Sequence, residues 1–373
     1  MSKQFKFFVV ITMIIFVSGR HTFAQDEILF RKHIVNSGWH GLFYGLALNG
    51  IFETEGAAAA GIPIITAGVS AMIPLLASPS KSITVNSLML SDHGKYMGWV
   101  HGAALMSLLG GEDIWEDNYK LPLALSALSS IGLGRLGYSL GKNKTWAEGH
   151  AALFRLYGGM MSLTGFFVGA SFADDFRVFS GSVMLFGAGG YLLADQVFKL
   201  NPYTRGDVRA TSVVTSLHGL LGFGIVADKG IEDEFARADW LLPAAGLLVG
   251  TGIGHLWLKN AGLTSQQGTL TGYAASGGAV IGLGIALMID SDKLTPWYAI
   301  PYATGMAAYA YAVERFKKNN LAYGIDLNEK KNDWNIAFMP HNILFNQQLN
   351  NRKRSPYGGL FTMQPAIAAT LNF

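Results

Sequence analysis

TRGDVRATSVVTSLHGLLGFGIVAD (204–228) and, after an acidic connection, WLLPAAGLLVGTGIGHLWLKN (240–260) form the stretch that decides the fold. It runs from a polar start through an apolar run to a charged tip, then through a second glycine-rich apolar run to a Lys-Asn stop. Comparable stops fall at Asn143, Asn201, Asn260 and Asn319, spaced by 58, 59 and 59 residues. Comparable starts fall at Thr145, Thr204 and Thr264, spaced by 59 and 60. Self-similarity at a fixed period of this length marks a repeat architecture. Each start has capping-box form, as Thr145–Glu148, Thr204–Asp207 and Thr264–Gln267. There a hydroxyl accepts from a helix N–H while the residue three later reaches back to the cap. With two earlier copies of blurred edges, the units are 25–84, 85–143, 144–201, 202–260 and 261–319.

Inside the unit, His40-Gly41, His101-Gly102 and His218-Gly219 hold equivalent places in copies one, two and four, with Gly158-Gly159 and Gly278-Ala279 in the other two. Fourteen residues before the four stops stand Ser129, Gly187, Gly246 and Gly305. Small residues at a fixed helical depth let backbones approach closely. The apolar runs lack the alternation of strands, and most approach the 17–25 residues that cross a bilayer as a helix. The expectation is a mainly α chain: five tandem helical hairpins, glycine-rich, with about ten apolar helices. A transmembrane β-barrel needs polar lumen positions at every second residue and turns within each run, and these runs have neither.

Half of the 373 residues are hydrophobic, 14% are charged and 46 are glycine. So little charge leaves scant material for a water-facing coat and points to lipid or a large buried interior. The net charge of +3 and the lack of a basic run interleaved with aromatics argue against nucleic acid. Met1–Ala24 reads as a secretory signal: Lys3 and Lys6, then apolar Phe7–Val17, then Thr22-Phe23-Ala24 as a small-residue cleavage site. An uncleaved anchor is the alternative. The absence of cysteine removes disulfides and thiolate metal ligands.

Connections inside each hairpin are acidic (Glu53 and Glu55; Glu112, Asp113, Glu116 and Asp117; Asp174 and Asp175; Glu232, Asp233 and Glu234; Asp290 and Asp292). Joints between hairpins are basic (Lys81, Lys142, Lys144, Lys199, Arg205, Lys259, Lys317 and Lys318). After export this pattern inverts the positive-inside rule of an inner membrane, which favours the outer membrane or the periplasm. From Asn320 the composition changes, and 320–373 is expected to form a short β-rich tail. Its end, AIAATLNF, alternates Ile367, Ala369, Leu371 and Phe373. Over these eight residues it resembles the closing strand of bacterial outer-membrane barrels, although a β-hairpin packed on the helices is the preferred reading.

His40, His101 and His218 are the candidate site, since repeats arranged around an axis would bring three imidazoles to one depth for a metal or a proton path. The competing reading is three packed, hydrogen-bonded core histidines. Arg155 and Asp195 lie in the two apolar runs of copy three and are candidates for each other's partner. GLGRLG (132–137) and GYSLG (137–141) match nucleotide-binding and nucleophile-elbow patterns, but they sit inside or at the end of a helix-like run, where neither works. The functional expectation is a non-enzymatic bacterial cell-envelope protein without a cofactor: a membrane-embedded or membrane-associated scaffold whose partners are lipid, another envelope protein, or both. The alternatives are a transporter or channel with a His/Arg/Asp-lined path, and an envelope enzyme using the repeat histidines.

Overall fold

The computed structural model describes residues 25–77, 83–143, 146–232, 236–289, 294–322, 334–338 and 367–371. The signal segment 1–24 lies outside them, as do Lys81, Lys144, Thr145, Asp233, Glu234, Asp290, Asp292 and most of the 320–373 tail.

The chain is mainly α. Its helices are α1 (Gln25–Phe52), α2 (Gly56–Ala77), α3 (Val85–Gly110), α4 (Asp113–Asn118), α5 (Lys120–Asn143), α6 (Glu148–Phe172), α7 (Phe176–Leu200), α8 (Arg205–Glu232), α9 (Leu241–Leu258), α10 (Ser265–Ile289) and α11 (Thr295–Ala322). A 3-10 turn at Arg237–Trp240 leads into α9. The most extensive packing joins α1 to α2, α3 to α5, α6 to α7 and α8 to α9. α10 meets α11 where Gly278 faces the Thr304 backbone and Gly282 faces Pro301. Each pair also touches the next along the chain, through α1–α5, α3–α7, α6–α9 and α8–α10. Farther along, Trp334–Phe338 (β1) pairs antiparallel with Ile367–Leu371 (β2), Trp334 opposite Leu371 and Phe338 opposite Ile367.

Six of the described helices are long and apolar enough to cross a membrane: α2, α6, α7, α8, α9 with its leading turn, and α10. The expectation of about ten is thereby reduced. The other four long helices have the length but are less apolar; charge lies at the start of α1 (Arg31, Lys32), within α3 (Asp92, Lys95) and α5 (Arg135, Lys142), and at the end of α11 (Glu314 to Lys318). The spanning windows differ in position. That of α6 is 56% buried and that of α2 only 11%, so α6 is a central helix and α2 a peripheral one. Met160 and Phe167 of α6 form a core cluster with Ala244 and Leu247 of α9.

What faces outward is large and apolar: Leu76 is 81% exposed and Met288 78%. What faces inward mixes large residues such as Leu153, Phe167 and Tyr309 with many hydroxyls, including Ser87, Ser130, Thr164, Thr211 and Thr271. An apolar outside with hydroxyls inside suits a hydrocarbon solvent, where small residues bring helices close and hydroxyls satisfy each other or the preceding turn. Many of these hydroxyls donate to the carbonyl four residues back, as Ser162 does to Gly158 at 2.8 Å and Thr211 to Asp207 at 2.9 Å.

The closest pairing is α3 with α5. Gly94, Gly98 and Gly102 on α3 and Gly137 and Gly141 on α5 sit against the partner's backbone. A Cβ added to Gly98 would lie 2.5 Å from Ser130 N and 2.6 Å from Ser129 C. The small residues placed fourteen before the stops also lie at pair crossings. Ser129 meets Gly102, Gly187 meets Ser162, Gly246 meets Gly219, and Gly305 meets Ala279. A proline–glycine crossing recurs, with Gly45 on Pro63, Gly222 on Pro243 and Gly282 on Pro301. In the first and last of these a threonine three residues after the proline (Thr66, Thr304) donates to the carbonyl four residues before it, at 2.9 Å in both cases.

The capping boxes at Thr204–Asp207 and Thr264–Gln267 form, and so does one at Thr84–Ser87. α6 is capped differently, with Ala147 at the N-cap and no side-chain bond. Successive joints are stitched together: Thr84 Oγ1 donates to Gly141 O at 3.2 Å, Asn86 Nδ2 to Trp146 O at 2.7 Å, and Thr204 Oγ1 to Leu263 O at 2.5 Å. Tyr203, in the α7–α8 joint, is buried and hydrogen-bonds His255; burial holds its phenol above the ordinary range.

The tips are laced as well, and less purely acidic than their carboxylates suggest. Lys120 pairs with Glu53 at 2.9 Å, Lys229 with Asp239 at 2.8 Å, and Arg237 with Asp174. The Lys120 hydrogen bond, then that of Tyr119, then the Lys120 charge hold the Glu53 carboxyl below its usual 4.5. A depressed carboxyl contributes stability above the unfolded value and loses it as pH falls through the folded one. Hydrogen exchange in the α1–α2 turn is therefore expected to rise as pH drops below about 4, and Glu53→Gln is expected to remove that dependence.

Candidate functional site

The three repeat histidines do not converge. Each bridges its own helix to the following pair. His40, on α1 and fully buried, donates from Nε2 to Asp92 Oδ1 of α3 at 3.0 Å, leaving Nδ1 buried without a partner. His101 of α3 lies 3.2 Å from Ser162 Oγ of α6. The Ser162 hydroxyl proton is already directed at Gly158 O, so the imidazole Nε2–H is the donor. His218 of α8 donates from Nδ1 to Val214 O at 2.9 Å, and its Nε2 accepts from the Tyr302 hydroxyl of α11, also at 2.9 Å. A fourth histidine that the repeat pattern did not single out, His93 of α3, meets the Tyr191 hydroxyl of α7 at 2.9 Å. Each imidazole thus makes at least one hydrogen bond to a neighbouring helix, as a rivet between neighbours. Among the described residues no group of three or more His, Asp or Glu is placed to hold a metal ion.

A rivet has a measurable strength. A double-mutant cycle on His218→Leu and Tyr302→Phe is expected to return a coupling of about 1 kcal/mol in thermal unfolding of the purified protein, the net worth of one buried hydrogen bond.

Arg155 and Asp195 are not each other's partner. Asp195, on the outer part of α7, pairs with Lys199 at 2.5 Å and His150 at 3.3 Å. Lys199, four residues on, is the nearer cation because the helix places i and i+4 on one face. Arg155, on α6, lines a cavity of about 470 Å³ between α6 and α8 together with Arg205 and Arg209. Arg205 sits 3.5 Å from Glu148, and Arg209 donates to Ser265 O at 2.9 Å and Thr269 Oγ1 at 2.7 Å. Arg155 has no hydrogen-bond or ion-pair partner among the described residues. The apolar part of the same cavity is lined by Met160, Leu163 and Leu247. The sequence carried a signal for this grouping in the basic Arg205 and Arg209 opening α8, yet only packing brings Arg155 to them.

The glycine motifs lie within α5, where Gly137 packs on the Leu90–Ser91 backbone and Gly141 on that of Asn86–Ser87. There is no strand-to-helix turn at either, which both functional patterns need. No family model, curated protein or solved structure matches this chain.

Proposed function

We propose that the chain is a non-enzymatic membrane-embedded scaffold of the bacterial cell envelope, built from five copies of one helical-hairpin unit, which assembles with another envelope protein in the lipid layer. The observation that carries this reading is the use made of the repeat-position histidines: His40, His101 and His218 each hydrogen-bond a neighbouring pair and are not brought together into one path or cluster. Recurrence of the proline–glycine crossing supports the common unit. The nearly continuous apolar exposure of α2, through Ile64, Ile65, Val69, Met72, Ile73 and Leu76, supports a docking role for this edge. Lysines and arginines at the tips weaken the charge asymmetry that favoured the outer membrane, so the reading names a bilayer and fractionation assigns which one.

The test is photocrosslinking in native membranes, with a photoreactive residue at Ile65 or Met72 and, for comparison, at Val280 or Ile281 of α10. The scaffold reading expects a protein adduct of defined mass from α2. Lipid adducts alone from both helices would contradict assembly and leave only a bilayer-embedded bundle.

A further inference from the structure

The three-arginine cavity has no counterpart in the scaffold's own architecture. Its walls bring three guanidinium groups together, and among the described residues the one carboxylate paired with any of them is Glu148, which serves Arg205 from 3.5 Å and is itself half exposed. Arg209 is occupied by neutral oxygens, which leave its charge uncompensated. Arg155 is unoccupied among the described residues. Three like charges against one partial counter-charge, set between two membrane-crossing helices, are costly unless an anion completes them. Guanidinium is the side chain whose donor fork fits phosphate oxygens.

The cavity is also graded along its length. α6 and α8 both begin at joints between pairs, so their N-terminal turns, with the positive ends of their dipoles, lie toward the same end. Arg205 is the first residue of α8 and Arg209 lies one turn further in. Arg155 to Leu163 along α6 is a rise of about 12 Å toward the middle of the helix. Arg205 and Arg209 thus stand at the joint end of the cavity, Arg155 lies about two turns inside α6, and the apolar part, with Met160, Leu163 and Leu247, lies toward the helix middles. A free phosphate ion would satisfy the arginines and leave that apolar length unused.

We propose that this cavity binds an anionic membrane lipid, its phosphate held by Arg155, Arg205 and Arg209 and the start of an acyl chain lying along Met160, Leu163 and Leu247. Basic pockets between membrane helices hold anionic headgroups in this way. The proposal rests on the membrane-embedded reading above.

The experiment is a thermal-stability titration of the full chain, purified in a neutral sugar-headed detergent, with phosphatidylglycerol, phosphatidylcholine or inorganic phosphate as separate arms. Phosphatidylglycerol is expected to stabilise saturably, and phosphatidylcholine is not. Arg155→Gln is expected to raise the half-saturating phosphatidylglycerol concentration by about tenfold, the loss of one charge-assisted contact. Its melting temperature without lipid should be no lower than that of the unmodified chain, because Arg155 holds no partner among the described residues and its loss relieves repulsion from Arg209. Should that variant fold poorly, Arg205→Gln on the opposite wall serves in its place. Equal stabilisation by the two lipids, full stabilisation by inorganic phosphate alone, or no change in the variants would each overturn the lipid site. If the chain leaves membranes in alkaline carbonate while the Arg155-dependent titration persists, the embedding has failed and the site stands. If it stays in membranes while the titration is flat, the site alone has failed.

Discussion

Gly98→Leu is expected to separate α3 from α5 and to cost about 3 kcal/mol or more, seen as an early thermal transition or loss of the folded protein on purification. The side chain would enter where only backbone stands: an added Cβ already lies 2.5 Å from Ser130 N and 2.6 Å from Ser129 C. No rotamer relieves such a contact, since the obstructing atoms belong to the facing helix, whose own glycines, Gly137 and Gly141, press on α3 in return. The seam would have to open along its length. Gly132→Leu, on α5, is the control, because a Cβ there meets nothing within 4 Å. It is expected to be neutral or slightly stabilising, as replacing a helical glycine usually is. Equal melting temperatures for the two variants would contradict the close α3–α5 approach.

Asp207→Ala is the second large effect. Asp207 is 1% exposed, and its two carboxylate oxygens accept from the N–H groups of Thr204 at 2.9 Å and Leu263 at 2.8 Å. One side chain thus caps α8 and ties the joint before it to the joint before α10. Removing it strands two N–H donors and takes an anion from the N-terminus of α8, a loss of about 2–5 kcal/mol. Asp207→Asn retains one accepting oxygen and turns an NH2 toward the other donor, so it should fall between the alanine variant and the unmodified protein. If Asn and Ala proved alike and both near neutral, the stitching of joints would have no energetic weight.

Both effects come from features that the sequence partly exposed. The Thr204–Asp207 and Thr264–Gln267 boxes were legible because a cap is a local device, set by residues three apart. The Asp207 bond to Leu263 was not, because it joins residues 56 apart. Small residues at Ser129, Gly187, Gly246 and Gly305 marked the crossings in advance, since close approach leaves a compositional trace. Helix starts were harder to see. The apolar part of α3 begins only near Gly98, yet the helix starts at Val85, because its first turns bury Asn86, Ser87, Ser91 and His93. A reading that looks for apolar runs misses a helix whose inward side is polar. Six rather than ten helices are apolar enough to span partly for the same reason: Asn36, His40 and Asn49 in α1, Asp92 and Lys95 in α3, Arg135 in α5 and the tyrosines of α11 dilute runs that are long enough.

The candidate site divides along similar lines. Repeat position picked out His40, His101 and His218 as equivalent, and all three do join their helix to the next pair. Their partners, Asp92, Ser162 and Tyr302, differ in chemistry and in distance along the chain, and nothing local marks them. Arg155 and Asp195 were paired on depth alone. Depth along two antiparallel helices does not fix the angle at which each side chain leaves its helix, and Lys199 reaches Asp195 first.

Retention in the membrane pellet after an alkaline-carbonate wash of native envelopes, followed by separation of inner from outer membrane, tests the central claim most directly. Six helices of sufficient length and apolarity, with Leu76, Leu192 and Met288 facing outward, predict that the chain stays with lipid through the wash. Release into the soluble fraction would contradict the membrane-embedded bundle and require those outward faces to be covered by protein instead.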